Sequence, residues 1–311
     1  MASAPLPQPR NYDQQVDFSY NRFLFRPGEL VWFDRGGAWG LGMLTRRYNT
    51  KDLGGNDVTK AYIVQPLSYP NDSRNTAVHI SDESQLRPWL AWSLPALTNA
   101  ALNNMNVTFD TADWQGILGH KYGQGDAGVD GSILAARGID ASHSLSEHLK
   151  SGSQGSVEER RWNCIFLGGE KIWIGDPVRL RVGSGTEILV VIEIVERRIT
   201  RQGYSQPHTN ICVVGDVYTA APCPPNQIPP EDKNVPSRMR EDMRIRNSIT
   251  IPTKRYAGHW RLLQTMATRD IGDITGRWYE FSLLLPILEG EQYHQRFQTG
   301  DVKEAGVSLN S

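Results

Sequence analysis

The stretch FRPGELVWFDRGGAWGLGML, residues 25–44, constrains the fold most because it alternates strand-forming segments with glycine turns. Residues 29–33 are β-prone, Asp34-Arg-Gly-Gly has the composition of a tight turn, and the apolar pattern resumes at Trp39. Gly40 and Gly42 inside the second segment predict a sharp bend or a close approach of another backbone. With a third strand over residues 60–67, this pattern is typical of a small barrel.

The same design recurs in the second half of the chain. Residues 171–181 are strand-forming, Gly183-Ser-Gly predicts a turn, and residues 187–197 and 210–219 supply two further strands. Each half therefore runs strand, glycine turn, strand, loop, strand. We predict a mainly β chain with α additions, an α+β fold, built as two small barrel modules with helical insertions.

The domain boundaries follow from length and composition. A chain of 311 residues is long for one domain. Residues 1–17 predict a disordered arm, and residues 18–150 an N-terminal barrel module with a helical extension. The Ser/Gly-rich residues 151–156 predict a linker, residues 157–300 a second module, and residues 301–311 a tail.

Charge and cysteine content restrict the setting in which the chain works. The formal net charge is -1, so any nucleic-acid contact depends on a local patch. The three cysteines are few, odd in number and far apart, which favours a reducing compartment. No run of about 18 apolar residues predicts a membrane span, and the N-terminus lacks the apolar core of a secretory signal.

The motifs that would carry catalysis are weak. Residues 123–128 match the GxGxxG spacing of a dinucleotide site, but the preceding residues make a poor buried strand. The histidines and cysteines do not cluster with the spacing of metal ligands. We therefore expect a protein that is not an enzyme and has neither a cofactor nor a metal.

Aromatic residues form the first candidate binding site. Trp32, Trp39 and Tyr62 lie on predicted strands of the first module, where they could box a methylated ammonium by cation–π attraction. The alternative is that these aromatic side chains belong to the core.

A basic run forms the second candidate. Its members are Arg238, Arg240, Arg244, Arg246, Lys254 and Arg255. Arginine forks can bind the phosphates of a nucleic acid. Glu241 and Asp242 interrupt the run, so a helix bridged to its own domain is the alternative.

A third candidate lies near the C-terminus. Arg277, Trp278 and Tyr279 form a polar aromatic knot ahead of an apolar run that includes Pro286. The knot fits a partner surface, and packing within the second module explains it equally well.

Four motifs together resemble a known family. They are Gly-Glu-Leu-Val-Trp with Trp-Gly-Leu-Gly (28–42), Leu-Arg-Pro-Trp-Leu-Ala-Trp (86–92), Glu-Lys-Ile-Trp-Ile-Gly-Asp-Pro-Val-Arg-Leu (170–180) and Gly-Arg-Trp-Tyr-Glu-Phe-Ser-Leu-Leu-Leu-Pro-Ile-Leu (276–288). In this order they resemble the fungal transcription-silencing proteins called the second cryptic loci regulator.

The resemblance implies a nuclear, non-enzymatic scaffold in a heterochromatin repressor complex of the SHREC type. Such a complex combines a histone deacetylase with a nucleosome remodeller, so the implied partners are its protein subunits, with DNA or histone tails as further candidates and no membrane. It also implies that the second module is similar to a bromo-adjacent homology domain, in agreement with the small SH3-like barrels that the strand pattern predicts. A stand-alone histone-peptide reader and a hydrolase with a carboxylate site remain the alternatives.

Overall fold

The computed structural model describes residues 2–51, 58–181, 186–200, 208–302 and 304–309, so the predicted turn at Gly183-Ser-Gly lies outside the described residues. Two antiparallel sheets and the helices packed around them confirm the mainly β, α+β class. The first sheet contains β1 (Leu30–Asp34), β2 (Trp39–Lys51), β3 (Val58–Pro66), β4 (Val78–Ile80) and β5 (Leu86–Pro88). The second contains β6 (His143–Gln154), β7 (Val157–Leu167), β8 (Glu170–Trp173), β9 (Pro177–Leu180), β10 (Glu187–Ile199), β11 (His208–Cys223), β12 (Ala257–Asp270) and β13 (Ile274–Arg277). The helices are α1 (Tyr12–Phe18), α2 (Trp114–Leu118), α3 (Ala127–Asp140), α4 (Ser237–Lys254), α5 (Phe281–Glu289) and α6 (Glu291–Thr299).

The first sheet has the order β4-β3-β2-β1-β5 and contains the predicted glycine-turn hairpin between β1 and β2. Gly36 and Gly37 form its turn with φ angles of 78° and 115°, a region that favours glycine. A Cβ on Gly42 would lie 2.9 Å from the backbone carbonyl oxygen of Gln65 in β3, which confirms the predicted close approach of another backbone. Among the described strands the pairing runs as an open path with β4 and β5 at its edges.

The second sheet has the order β12-β11-β10-β7-β6, with β8 paired to β7 and β9 paired to both β10 and β13. The side chains of β10 alternate between its two faces, as the period of a strand requires. Leu189 and Val191 enter one apolar core, whereas Ile188 and Val190 enter another. The sheet is therefore covered on both sides at this strand.

Two predicted boundaries differ from the structure. Residues 151–156, predicted as a linker, form the end of the β6–β7 hairpin, in which Ser151 pairs with Arg160. A Ser/Gly composition suits the tip of a hairpin as well as a linker, since both need polar residues and glycine. Within residues 1–17, predicted as a disordered arm, α1 buries Gln14 and Asp17 completely or nearly so.

The C-terminal helices complete the core of the first module. Phe281, Leu284 and Leu285 of α5 are buried in the same apolar cluster as Phe33 and Leu86 of the first sheet. The two halves of the chain are therefore interleaved rather than packed side by side. No helix among the described residues combines the length and the hydropathy needed to cross a bilayer.

Candidate functional site: tryptophan cavity, α4 arginines and the buried motif

A chain of four indoles lies at the edge of the first sheet. Trp89 stacks on Trp32 with ring centroids 6.2 Å apart, and Trp92 meets Trp32 edge-on at 5.5 Å. Trp39 continues the chain, 5.0 Å from Trp92. Trp32 and Trp89 are buried, whereas Trp39 and Trp92 are 37% and 39% exposed. The hairpin places Trp39, and the segment after β5 places Trp89 and Trp92.

A cavity of about 700 Å³ opens beside this chain of indoles. Trp32 and Trp39 both line it, together with charged residues of both signs: Asp34, Asp72, Asp126, Arg35 and Arg74. The guanidinium of Arg87 lies 4.7 Å from the centre of the Trp39 ring, so this indole already binds one cation of its own chain. Indole faces attract cations, and the three aspartates of the lining outnumber its two arginines.

Tyr62, the third predicted member of the aromatic cage, lies elsewhere. It is completely buried and makes edge-on contacts with Phe23 and Phe25, at 5.7 Å and 5.9 Å. Its hydroxyl donates to Glu83. Burial raises the pKa of Tyr62 above its usual range, and the Glu83 carboxylate raises it further. The structure therefore corrects the predicted trio to the pair Trp32 and Trp39.

Most of the predicted nucleic-acid contacts are ion pairs within the protein. Arg238 and Arg246 are buried in α4, where they pair with Glu280 at 2.5 Å and with Asp242 at 2.6 Å. Neither can reach a phosphate while the helix is folded. Arg240 and Arg244 are partly exposed, and both approach the carboxylate of Glu231, at 3.7 Å and 2.9 Å. This outcome matches the alternative of a helix bridged to its own domain.

Lys254 and Arg255 are placed differently. Both are exposed at the C-terminal end of α4, and neither forms an ion pair within the described parts of the chain. Arg255 ends the helix with a φ of 59°. These two residues are the members of the predicted basic run that are free to meet a phosphate.

The predicted partner surface is buried: the side chains of Arg277, Trp278 and Tyr279 are all almost completely inaccessible to solvent. The guanidinium of Arg277 donates to Glu29 at 3.1 Å and to the Leu24 carbonyl at 2.8 Å. The Tyr279 hydroxyl donates to Glu170 at 2.6 Å. The structure corrects the surface role, because these side chains join the two modules from the inside.

These contacts belong to a larger buried ionic cluster between the modules. Arg26, next to the first sheet, forms a paired fork with Asp176 of the second module, at 2.5 Å and 2.9 Å. Asp17 of α1 receives the Trp173 indole N–H at 2.7 Å and pairs with Arg47. Burial opposes the charge on Asp17, but its arginine neighbours Arg26 and Arg47 lower its pKa below the usual value. Removing one partner from such a cluster leaves an uncompensated buried charge.

The sequence contained a signal for this cluster that composition alone does not reveal. Glu29, Glu170, Asp176 and Arg277 each lie inside or beside an apolar motif, where a charged residue is expensive unless it is paired. Their partners are distant in sequence, so the pattern indicates burial but cannot identify the pairs.

The segment that matches the spacing of a dinucleotide site forms the cap of a helix. Residues 123–128 lead into α3, and the Asp126 carboxylate accepts hydrogen bonds from the N–H groups of Gly128 and Val129. The helix N-terminus that a pyrophosphate would need is therefore capped by the chain itself. No group of three or more histidine, cysteine or carboxylate side chains in the described residues is arranged to hold a metal.

One model of a known protein family matches part of the chain. Residues 162–280 match the family model described as "Transcription-silencing protein Clr2", a span that contains the motif at 170–180 and the buried knot. This match confirms the resemblance drawn from the motifs, and residues 162–280 are similar to the Clr2 family. No curated protein sequence matches it.

A solved structure described as "Structure of Clr2 bound to the Clr1 C-terminus" has a similar fold. Its TM-score is 0.50 at 14% sequence identity, and the match covers 91% of this chain. The chain spans 61% of the length of that solved chain. At this identity the likeness concerns the fold.

Proposed function

We propose that this chain is a non-enzymatic scaffold subunit of a transcription-silencing complex in the nucleus. The observation that carries the proposal is the match of residues 162–280 to the Clr2 family. The buried ionic cluster supports it, because Arg26 and Asp176 tie the two modules into one body on which partner surfaces keep a fixed spacing.

The partners in this proposal are protein subunits of a heterochromatin repressor complex that contains a histone deacetylase and a nucleosome remodeller. The solved Clr2 is bound to the C-terminus of Clr1, so a partner that contributes a terminal segment fits the comparison. The second module would correspond to the domain similar to bromo-adjacent homology.

Of the six basic residues predicted to contact a nucleic acid, this proposal keeps Lys254 and Arg255. Both are exposed, and they lie one after the other at the end of α4. Phosphate contacts of this kind are insensitive to base sequence and weaken as salt rises. The double variant K254A/R255A should bind duplex DNA more weakly than the parent and show a shallower dependence on salt. The double variant R240A/R244A is the matched control, and equal binding by the parent and K254A/R255A would refute the contact.

The scaffold role is tested by purification of the tagged chain from nuclei of the cells that naturally express it. We expect a histone deacetylase and a remodelling ATPase among the recovered proteins. We also expect that a silenced reporter gene becomes expressed when the gene for this chain is deleted. Recovery of the folded chain without either enzyme, with repression intact, would contradict the proposal.

A second candidate function rests on the tryptophan cavity. Trp32 and Trp39 share a cavity with three aspartates and two arginines, and the faces of the two indoles suit a cationic side chain such as a methylated lysine of a histone tail. A trimethyl-lysine peptide titrated calorimetrically should bind the parent and lose most of its affinity with W39A. The Tyr62→Phe variant is the control, since Tyr62 lies outside the cavity, and equal binding by W39A would exclude this function.

A further inference from the structure

Residues 2–10 lie on the protein surface as an extended strap. The Ser3 hydroxyl donates to Asp232 at 2.7 Å, and the Ala4 N–H donates to Asp216 at 2.6 Å. The Asn234 side-chain amide donates to the Ser3 carbonyl at 3.1 Å. Together, Asp216 and Asn234 hold one peptide N–H and one peptide C=O of the strap, so they bind its main chain whatever its side chains are.

One side chain of the strap provides the apolar anchor. Leu6 packs against a cluster of buried residues on the sheet face covered by α4. The members of this cluster are Ile188, Val190, Tyr218, Val235, Met239 and Trp278. Pro5, Pro7 and Pro9 alternate with the other strap residues and favour an extended chain that loses little entropy on binding.

A main-chain clamp next to one apolar pocket is the arrangement by which proteins bind extended peptides. The fit beside the groove is incomplete, because a cavity of about 200 Å³ remains between the strap, the start of α4 and residues 175–177. Pro7, Pro9, Phe18 and Pro177 are among the residues that line it. A strap held by the main-chain clamp, the Ser3 hydroxyl and one leucine can be replaced by a segment that also fills this cavity.

We propose that this groove, between α4 and the face of β10–β12, is a recognition site for an extended, proline-containing segment of a partner protein with a leucine-sized anchor. The strap occupies it in the free protein and must leave before the partner binds. The strap shows which chemistry the groove accepts: an extended main chain, an apolar anchor and flanking prolines. The proposal does not rest on the silencing role, because the groove is tested with the purified chain alone.

The experiment uses a peptide of residues 2–11 labelled at its C-terminus, followed by fluorescence anisotropy. We expect it to bind a chain lacking residues 2–10, and to bind the full chain at least ten-fold more weakly because the tethered strap competes. A peptide carrying Leu6→Asp is the matched control and should bind the shortened chain at least ten-fold more weakly. No binding to a folded shortened chain, or equal binding to both chains, would overturn the proposal.

Two further measurements use only the full-length chain, so they test the proposal even if the shortened chain does not fold. The full-length Leu6→Asp variant keeps every residue and should bind the unmodified peptide more tightly than the parent does; failure to do so counts against the proposal. In the parent, the Ala4 and Leu6 amides should exchange with solvent faster than those of β10 and β11. Exchange as slow as that of these core strands would make the strap a permanent element and would also overturn it.

Discussion

Replacing Arg277 by methionine tests whether the buried ionic cluster holds the two modules together. Methionine keeps most of the volume but removes the hydrogen bonds to Glu29 and to the Leu24 carbonyl. Breaking a buried ion pair on one side costs about 3–5 kcal/mol, because the other charge stays buried without a partner. At about 2–4 °C per kcal/mol, this corresponds to a fall in melting temperature of about 6–20 °C.

The loss in this variant should depend on pH in a defined direction. Burial raises the pKa of Glu29 above 4.5, and Arg277 offsets only part of this effect. The folded state then binds the proton more tightly than the unfolded state, so stability falls as pH rises from 4.5 towards the folded pKa. Without Arg277 the folded pKa rises further, and the loss at pH 7 should exceed that at pH 5 by up to about 2.7 kcal/mol.

Urea denaturation at pH 5 and pH 7 measures both effects. The matched control is Arg261→Met, because Arg261 is exposed on β12 and its substitution should change the free energy of unfolding by less than about 0.5 kcal/mol. If Arg277→Met cost less than about 1 kcal/mol at pH 7, with no difference at pH 5, the reasoning about the cluster would be refuted.

Three other predictions concern single positions. Burial raises the pKa of Asp242 to about 6 despite Arg246 beside it, so stability should fall as pH rises from 3.8 to about 6, and Asp242→Asn should remove this part of the slope in urea denaturation. Gly42→Val should destabilise the hairpin by about 1–3 kcal/mol in thermal melts, because its Cβ would overlap β3. Gly138→Ala is its control, since a Cβ there meets nothing within 4 Å, and a loss as large would contradict the steric argument. Tyr62→Phe should lower the free energy of unfolding by about 1 kcal/mol in urea denaturation, through the lost hydrogen bond to Glu83, and should leave the affinity for the trimethyl-lysine peptide unchanged. Weaker binding of that peptide would place Tyr62 in the cavity.

The parts of the fold that depend on neighbouring residues could be predicted from the sequence. The β1–β2 hairpin follows from two glycines at its turn and an apolar pattern on each side, all within one short segment. The tight approach at Gly42 was predictable for the same reason, since a glycine inside a strand commonly marks a bend or a close backbone contact.

The candidate sites depended on contacts between distant residues, and these could not be predicted. The motif around Arg277 is equally compatible with a surface and a core until Glu29, far away in the chain, is known to face it. Trp39 and Tyr62 lie in the same sheet, but side-chain direction separates the cavity from the core. Trp92, which links Trp32 to Trp39, lies after β5 in a segment that forms no strand.

The packing of α5 against the first sheet has a consequence for the order in which the protein is made. On the ribosome, the N-terminal sheet emerges first, but part of its apolar core stays uncovered until α5 and α6 have been synthesised and have folded back onto it. Apolar surface that is exposed during this interval favours association with other chains. For the same reason, a fragment that ends before Phe281 would lose the cover of its first sheet, so the two halves cannot be studied as independent pieces.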